Sequence, residues 1–160
     1  MTRPLLNLIT PGLALLASLA CQPCAAQSAF SGSWDVVKAE NAPWLTARPE
    51  LKPHPEPALR KARMVFSADR VIAPTWIGCK KPTYEMMTLG FDGLFEGGLS
   101  DPQHGLNDPA ALAKQLGYTK EPVASMLTGC SELLFHLVDQ DTVQFALNNM
   151  VYTMRRSARH

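Results

Sequence analysis

Two cysteines are the most informative of the reactive residues in this chain. The chain has four, but Cys21 and Cys24 lie in an N-terminal stretch with the composition of an export signal. Cys79 and Cys130 would then meet an oxidising compartment, which predicts one disulfide between them. Such a bridge closes a loop of about 50 residues, worth roughly 4 kcal/mol in the chain-entropy account. Two buried free thiols or a metal pair are the alternatives, although neither cysteine has a spacing typical of metal ligands.

The remaining reactive side chains form no recognisable catalytic or metal-binding motif. The four histidines are scattered along the chain, at His54, His104, His136 and His160. His136 lies between two residues of one strand face and is predicted to be a surface or cross-strand residue. Asp101, His104 and Asp108 share a loop without the alternating oxygen ligands of a calcium site. A nucleophile elbow and a phosphate-binding glycine loop are also missing from the sequence. We therefore expect no metal, no cofactor and no enzymatic activity.

Large aromatic residues beside rigid loops form the second chemically interesting group. Trp44 follows Pro43, Trp76 lies two residues after Pro74, and His54 lies in a proline-rich loop over 41–60. Proline fixes φ and removes a hydrogen-bond donor, which predicts a stiff surface connection rather than a sheet strand. Long connections in compact domains are commonly lids, binding segments or linkers, so a plain spacer is the alternative. We predict Trp44, His54 and Trp76 as partner-binding residues, because aromatic anchors dominate protein interfaces.

The N-terminal 26 residues predict export. Arg3 gives the positive start, residues 5–20 are almost uninterruptedly apolar, and residues 24–26 supply small side chains for cleavage. The apolar run is too short to span a bilayer, and a Pro-Gly pair interrupts it. Lipid attachment at Cys21, which follows a near match to a lipoprotein box, is the alternative, and only then would a membrane be a partner. The predicted location is periplasmic or secreted.

Signal cleavage would leave 134 of the 160 residues, the size of a single domain over 27–160. Of the 15 Lys and Arg, only Arg3 lies in the signal, so the domain carries 14 basic against 14 acidic side chains. A neutral balance without a basic run argues against nucleic acid or an anionic membrane as the main partner.

The hydrophobic pattern predicts a mainly β fold. Alternating or β-branched runs predict strands at 32–38, 63–66, 71–73, 83–89, 132–138, 142–147 and 150–155. One short accessory helix near 108–117 is marked by Asp108 as N-cap, Pro109 at the first position and Gly117 at the stop. Six or seven strands joined mostly by short turns favour a small antiparallel barrel or half-barrel, since closure removes exposed edges. An open sandwich is the alternative.

The two ends of the chain carry a resemblance. Gly32-Ser33-Trp34 on the first strand resembles the Gly-x-Trp signature of the lipocalin-like (calycin) barrels. In that family an arginine from the end of the last strand covers the tryptophan, and Arg155 or Arg156 stands at the corresponding place. The chain is also similar to small periplasmic inhibitors of proteases and lysozymes, and to short exported proteobacterial proteins with no assigned role. The resemblance implies a small barrel whose closed end holds this Trp–Arg contact.

These observations predict a binding protein, with two classes of partner. In the first, loops at one end of the barrel block a protein target, as in an inhibitor or immunity-type protein. In the second, the barrel interior carries a small apolar ligand lined by Phe66, Met86, Phe135 and Phe145. The first is favoured because about seven strands leave little interior space beyond side-chain filling.

Overall fold

The computed structural model describes residues 28–74 and 76–158, in which nine antiparallel strands form one strongly curled half-barrel. The strands are β1 Gly32–Asn41, β2 Arg63–Phe66, β3 Arg70–Ile72, β4 Cys79–Lys80, β5 Glu85–Leu89, β6 Val123–Leu127, β7 Leu134–Asp139, β8 Thr142–Leu147 and β9 Met150–Arg156. The predicted signal over 1–26, with the alternative lipidation site Cys21, and His160 lie outside the described residues.

The strand order across the sheet is β4-β3-β2-β1-β9-β8-β7-β6-β5, so the chain returns to pair its last strand with its first. The mainly β, antiparallel prediction is confirmed, whereas the predicted six or seven strands are too few. The two strands that the sequence did not indicate are β4, which has only two residues, and β6. The β6 sequence contains Ala124 and Ser125, which are poor strand formers and obscure its pattern.

Two contacts join segments near the opposite edges of the sheet. Cys79 in β4 is disulfide-bonded to Cys130, which follows β6, with the two Cα atoms 5.4 Å apart. The Tyr84 hydroxyl, just before β5, donates a hydrogen bond of 2.8 Å to the Ser67 carbonyl in the β2–β3 turn. The predicted disulfide is confirmed, and it holds the edges of the half-barrel near each other.

The inner face of the curled sheet carries the larger hydrophobic core. Phe66 of β2 and Phe135 of β7 lie four strands apart in the sheet, yet their ring centroids are 5.1 Å apart. Phe135 is in turn 5.3 Å from Phe145, which stacks on Tyr152 at 5.2 Å. Because strands this distant can touch only across a concave surface, these rings fill the inside of the half-barrel.

A second layer covers part of the outer face. Residues 91–118 contain irregular 3-10 turns and one helix, α1 Pro109–Gln115, whose Asp108 cap accepts a 2.9 Å bond from the Ala111 N–H. The buried members of this layer pack on outward-facing residues of β6 and β9; they are Leu94, Phe95, Leu99, Ala113 and Tyr118. Helix α1 is the accessory helix predicted near 108–117, and it lies over the outer face of the sheet. Strands β6 to β9 are therefore buried on both sides.

An arginine closes one end of the inner core. Trp34 is fully buried, and the Arg156 guanidinium carbon lies 4.2 Å from the centroid of its ring. The same guanidinium donates to the carbonyls of Ala29 and Ser31, at 2.6 and 2.9 Å. Of the two arginines considered for this position, the structure places Arg156 on the indole, while Arg155 is largely exposed.

Replacing Arg156 by alanine is expected to lower the free energy of unfolding by about 2 kcal/mol, because a stacked cation and its charge-assisted hydrogen bonds are lost. Arg155→Ala is the matched control and should cost less than about 0.5 kcal/mol, as is usual for exposed positions. Urea denaturation followed by circular dichroism measures both values. Equal losses in the two variants would contradict the structural role of the Trp34–Arg156 contact.

Candidate binding site

The described residues form a cleft of about 610 Å³ where the outer layer meets one end of the sheet. Its aromatic walls are Trp44, Trp76 and Phe95, and we call it the Trp44–Trp76 cleft. The polar side chains that line it are Arg48, Glu96, Asp101, Ser131, Glu132, His136, Asn148 and Asn149. The two tryptophans predicted from their proline neighbours thus line the same cavity.

Trp44 is fixed in its wall by three contacts. It lies in a 3-10 turn, Pro43–Thr46, and its indole N–H donates a 3.3 Å bond to the Asn149 side-chain oxygen. Its ring lies 6.0 Å from that of Phe95. Gly98 approaches so closely that an added Cβ would come within 2.9 Å of the Trp44 ring. The glycine is therefore needed for this packing, and the indole is held in one orientation.

Trp76 forms another wall and is far more open, with 42% of its surface exposed. It lies three residues before Cys79, and Ser131 and Glu132 follow directly after Cys130. The disulfide therefore joins the two segments that carry these lining residues. Neither Trp76 nor Glu132 makes a side-chain hydrogen bond within the described part of the chain, so both remain available to a partner.

The turn after Leu94 is a strained part of the cleft. Phe95, Glu96 and Gly97 have φ values of 52°, 58° and 83°, in the left-handed region. Bulky residues adopt such angles at a cost of about 1–3 kcal/mol each, and such strain clusters at functional sites. The surrounding packing must therefore hold this turn in place.

His136, on β7, holds the Phe95 turn in place by a hydrogen bond. It is fully buried, and its Nε2 accepts a 3.1 Å bond from the Phe95 N–H. Its Nδ1 therefore carries the proton and donates to the Ser125 hydroxyl, 2.8 Å away. We predicted a surface or cross-strand residue. His136 does pair across to β6, but it is not on the surface, because the outer layer covers this face.

The Ser125–His136 pair is not arranged for catalysis. A general base would have to accept the serine proton, whereas the ring nitrogen facing Ser125 is itself the protonated one. Both side chains are fully buried, and burial lowers the pKa of His136 to about 3. The pair positions the Phe95 turn.

Stability is expected to fall as the pH drops below about 6.5, because the unfolded chain then protonates His136 while the folded protein does not until about pH 3. The slope from this residue is at most about 1.4 kcal/mol per pH unit and vanishes above pH 6.5. Urea titrations at pH 7, 6 and 5 should show a smaller loss for His136→Gln than for the unmodified protein. Identical pH dependence of the two proteins would contradict this assignment.

A charge cluster borders the cleft. Asp101 forms a salt bridge with Arg48, and its Oδ2 lies 2.9 Å from His104 Nδ1. The Arg48 Nε is buried and has no hydrogen-bond partner among the described residues. Asp108 caps α1, so the three residues considered for a calcium loop have other partners here. Three carboxylates and one guanidinium line the cleft, which gives it a negative balance.

The other predicted site residues lie elsewhere. His54 does not line the cleft; its N–H donates a 3.0 Å bond to the Asn148 carbonyl and anchors the proline-rich loop to the β8–β9 turn. Phe66, Phe135 and Phe145 are buried in the inner core, with Met86 packed against it. None of these four lines the cleft.

The proline-rich loop over 41–60 is attached to the sheet along its length. The Lys52 carbonyl accepts from the Asn149 side chain at 3.1 Å, and the Glu56 N–H donates to the Tyr152 hydroxyl at 2.7 Å. Leu59, at the end of the loop, is fully buried in the inner core. The loop therefore holds Trp44 and Arg48 against the sheet rather than acting as a detached spacer.

No family model, curated protein or solved structure matches this chain. Within residues 28–74 and 76–158, no helix is both long and apolar enough to cross a membrane.

Proposed function

We propose that this is an exported binding protein, of the inhibitor or immunity type, whose Trp44–Trp76 cleft contacts a protein target. The observation that carries the proposal is that Trp44 and Trp76, from separate loops, line one open cleft together with the strained turn at Phe95, Glu96 and Gly97. Tryptophan is among the residues most enriched at the energetic centres of protein interfaces. A cleft whose walls are already fixed loses little conformational entropy on binding.

Export is the second part of the proposal. The Cys79–Cys130 disulfide supports it, because such bonds persist mainly in oxidising compartments such as the periplasm or the extracellular space. A lipocalin-like classification is likewise a proposal, supported by Gly32-Ser33-Trp34 and by the Arg156 stack on the indole. Nine strands and the outer layer over residues 91–118 go beyond the simple barrel pattern.

A carrier of a small apolar ligand is the alternative, and the inner core argues against it. The rings predicted to line such a ligand site instead contact one another at 5.1 and 5.3 Å between centroids. A ligand among them would have to displace side chains that already fill the space.

The test is affinity capture from periplasmic extract and culture fluid with the folded protein as bait. Trp76→Ala should reduce retention of the specific target roughly 30-fold, the effect expected of an interface tryptophan. Ile72→Ala is the matched control, because Ile72 is a similarly exposed apolar residue, 52% against 42%, outside the cleft. Retention that survives Trp76→Ala unchanged would overturn the proposal.

A further inference from the structure

We propose that the Trp44–Trp76 cleft accepts a cationic side chain, arginine or lysine, presented by a protein partner. The inference rests on the proposed function and adds the chemistry that would select the partner. Three properties of the cleft support it: unpaired carboxylates, the faces of fixed aromatic rings, and a buried donor that lacks an acceptor.

The carboxylates favour a cation. Glu96 and Glu132 are exposed at the cleft and have no ion pair within the described part of the chain, whereas Asp101 is already paired with Arg48. An incoming anion would meet three carboxylates and a single guanidinium that is already neutralised. An incoming cation would gain two new partners, so charge complementarity selects positive groups.

The aromatic rings favour the same choice. Tryptophan attracts cations to its face more strongly than the other aromatic residues do, and a guanidinium also stacks on it as a plane. The Asn149 bond and Gly98 hold the Trp44 ring in place, so little ordering is required there. Trp76 leaves 42% of its surface open to a partner.

The size of the cleft points to a side chain carried on a polypeptide. A volume of about 610 Å³ is in the range of sites that enclose a whole drug-sized ligand, and exceeds what one side chain requires. The Arg48 Nε is a buried donor without a partner, a group that folded proteins seldom leave unsatisfied. Arg48 lines the cleft, and a small shift of its side chain would let a backbone carbonyl of the inserted segment accept from this donor while the cation reaches the carboxylates.

The experiment compares two ligands that differ in charge but hardly in shape, Nα-acetyl-arginine amide and Nα-acetyl-citrulline amide. Each is titrated into the folded protein while the indole N–H signals are followed by NMR. The arginine compound should shift the Trp44 and Trp76 signals saturably, at least about 5-fold more tightly than citrulline, as expected of a cation–π contact. Trp34, in the inner core, is the internal control.

Two glutamate variants refine the test. Glu132→Gln and Glu96→Gln should each weaken arginine binding roughly 2- to 5-fold and leave citrulline unchanged, as expected for exposed ion pairs. Glu85→Gln, an exposed glutamate on β5 outside the cleft, should change neither.

Equal binding of the two ligands, or no saturable shift with either, would overturn the cation proposal. Trp76-dependent capture of a target would still stand in that case. Conversely, tight arginine binding together with capture that ignores Trp76→Ala would overturn the proposed function and keep the cation site.

Discussion

Replacing both Cys79 and Cys130 by alanine is expected to lower the free energy of unfolding by about 4 kcal/mol. The bridge joins residues 51 positions apart, so its removal restores a large loop entropy to the unfolded chain. It also holds the β4 end of the sheet near the segment after β6. Because domains of this size are stable by only about 5–15 kcal/mol, this loss is large.

Target binding in the Trp44–Trp76 cleft should also weaken when the disulfide is removed. Trp76 lies in the segment before Cys79, and Glu132 lies in the segment after Cys130. Loss of the bond therefore releases two segments that line the Trp44–Trp76 cleft. Urea denaturation of the double variant, with reduced and alkylated unmodified protein as the parallel sample, measures the stability change. Affinity capture then measures how much target the cleft still binds. A loss below about 1 kcal/mol with undiminished target binding would contradict both expectations.

Replacing Phe135 by alanine is expected to cost about 3–5 kcal/mol, the range for a fully buried aromatic residue. Phe135 is completely buried and lies between Phe66 and Phe145, with centroid distances of 5.1 and 5.3 Å. The loss should appear as a lower urea midpoint with an unchanged slope. A cost near 1 kcal/mol would mean that the interior is loosely packed.

The same variant distinguishes a filled interior from a carrier. An apolar cavity left by an aromatic side chain can bind a small aromatic molecule such as benzene. Benzene should therefore raise the melting temperature of Phe135→Ala and leave that of the unmodified protein unchanged. A comparable rise in the unmodified protein would favour the carrier alternative.

Strict alternation made much of the sheet predictable. In β8 and β9, Phe145 and Tyr152 point inward, and the positive φ of Asn148 and Asn149 fits the predicted tight turn between these strands. The Cys79–Cys130 bond is predicted from the proposed export signal and the cysteine count. These features depend on local pattern or simple pairing, which a single sequence records directly.

The outer layer was not predictable in the same way. Its residues Leu94, Phe95 and Leu99 are buried in irregular turns, so their spacing has no helical or strand period. The sequence predicts a surface or cross-strand position for His136, because nothing in its own strand indicates the layer above it. Only the glycines around this stretch, such as Gly97 and Gly98, indicate an irregular backbone conformation.

The sequence therefore predicts only part of the candidate site. Trp44 and Trp76 could be selected from their proline neighbours, but their proximity depends on the disulfide and on the attachment of the proline-rich loop. Nothing in the sequence marks Glu96 and Glu132 as binding residues, since a charged residue in a loop is usually only solvated. Their significance comes from lying beside the two tryptophans.

The three tryptophans allow target binding in the Trp44–Trp76 cleft to be measured directly. Trp34 reports on the inner core, whereas Trp44 and Trp76 report on the cleft. Indole N–H spectra should be recorded with and without the protein target retained on the affinity column. Binding in the cleft predicts that the Trp44 and Trp76 signals shift while the Trp34 signal stays in place. A shift of Trp34 with Trp44 and Trp76 unchanged would contradict the account.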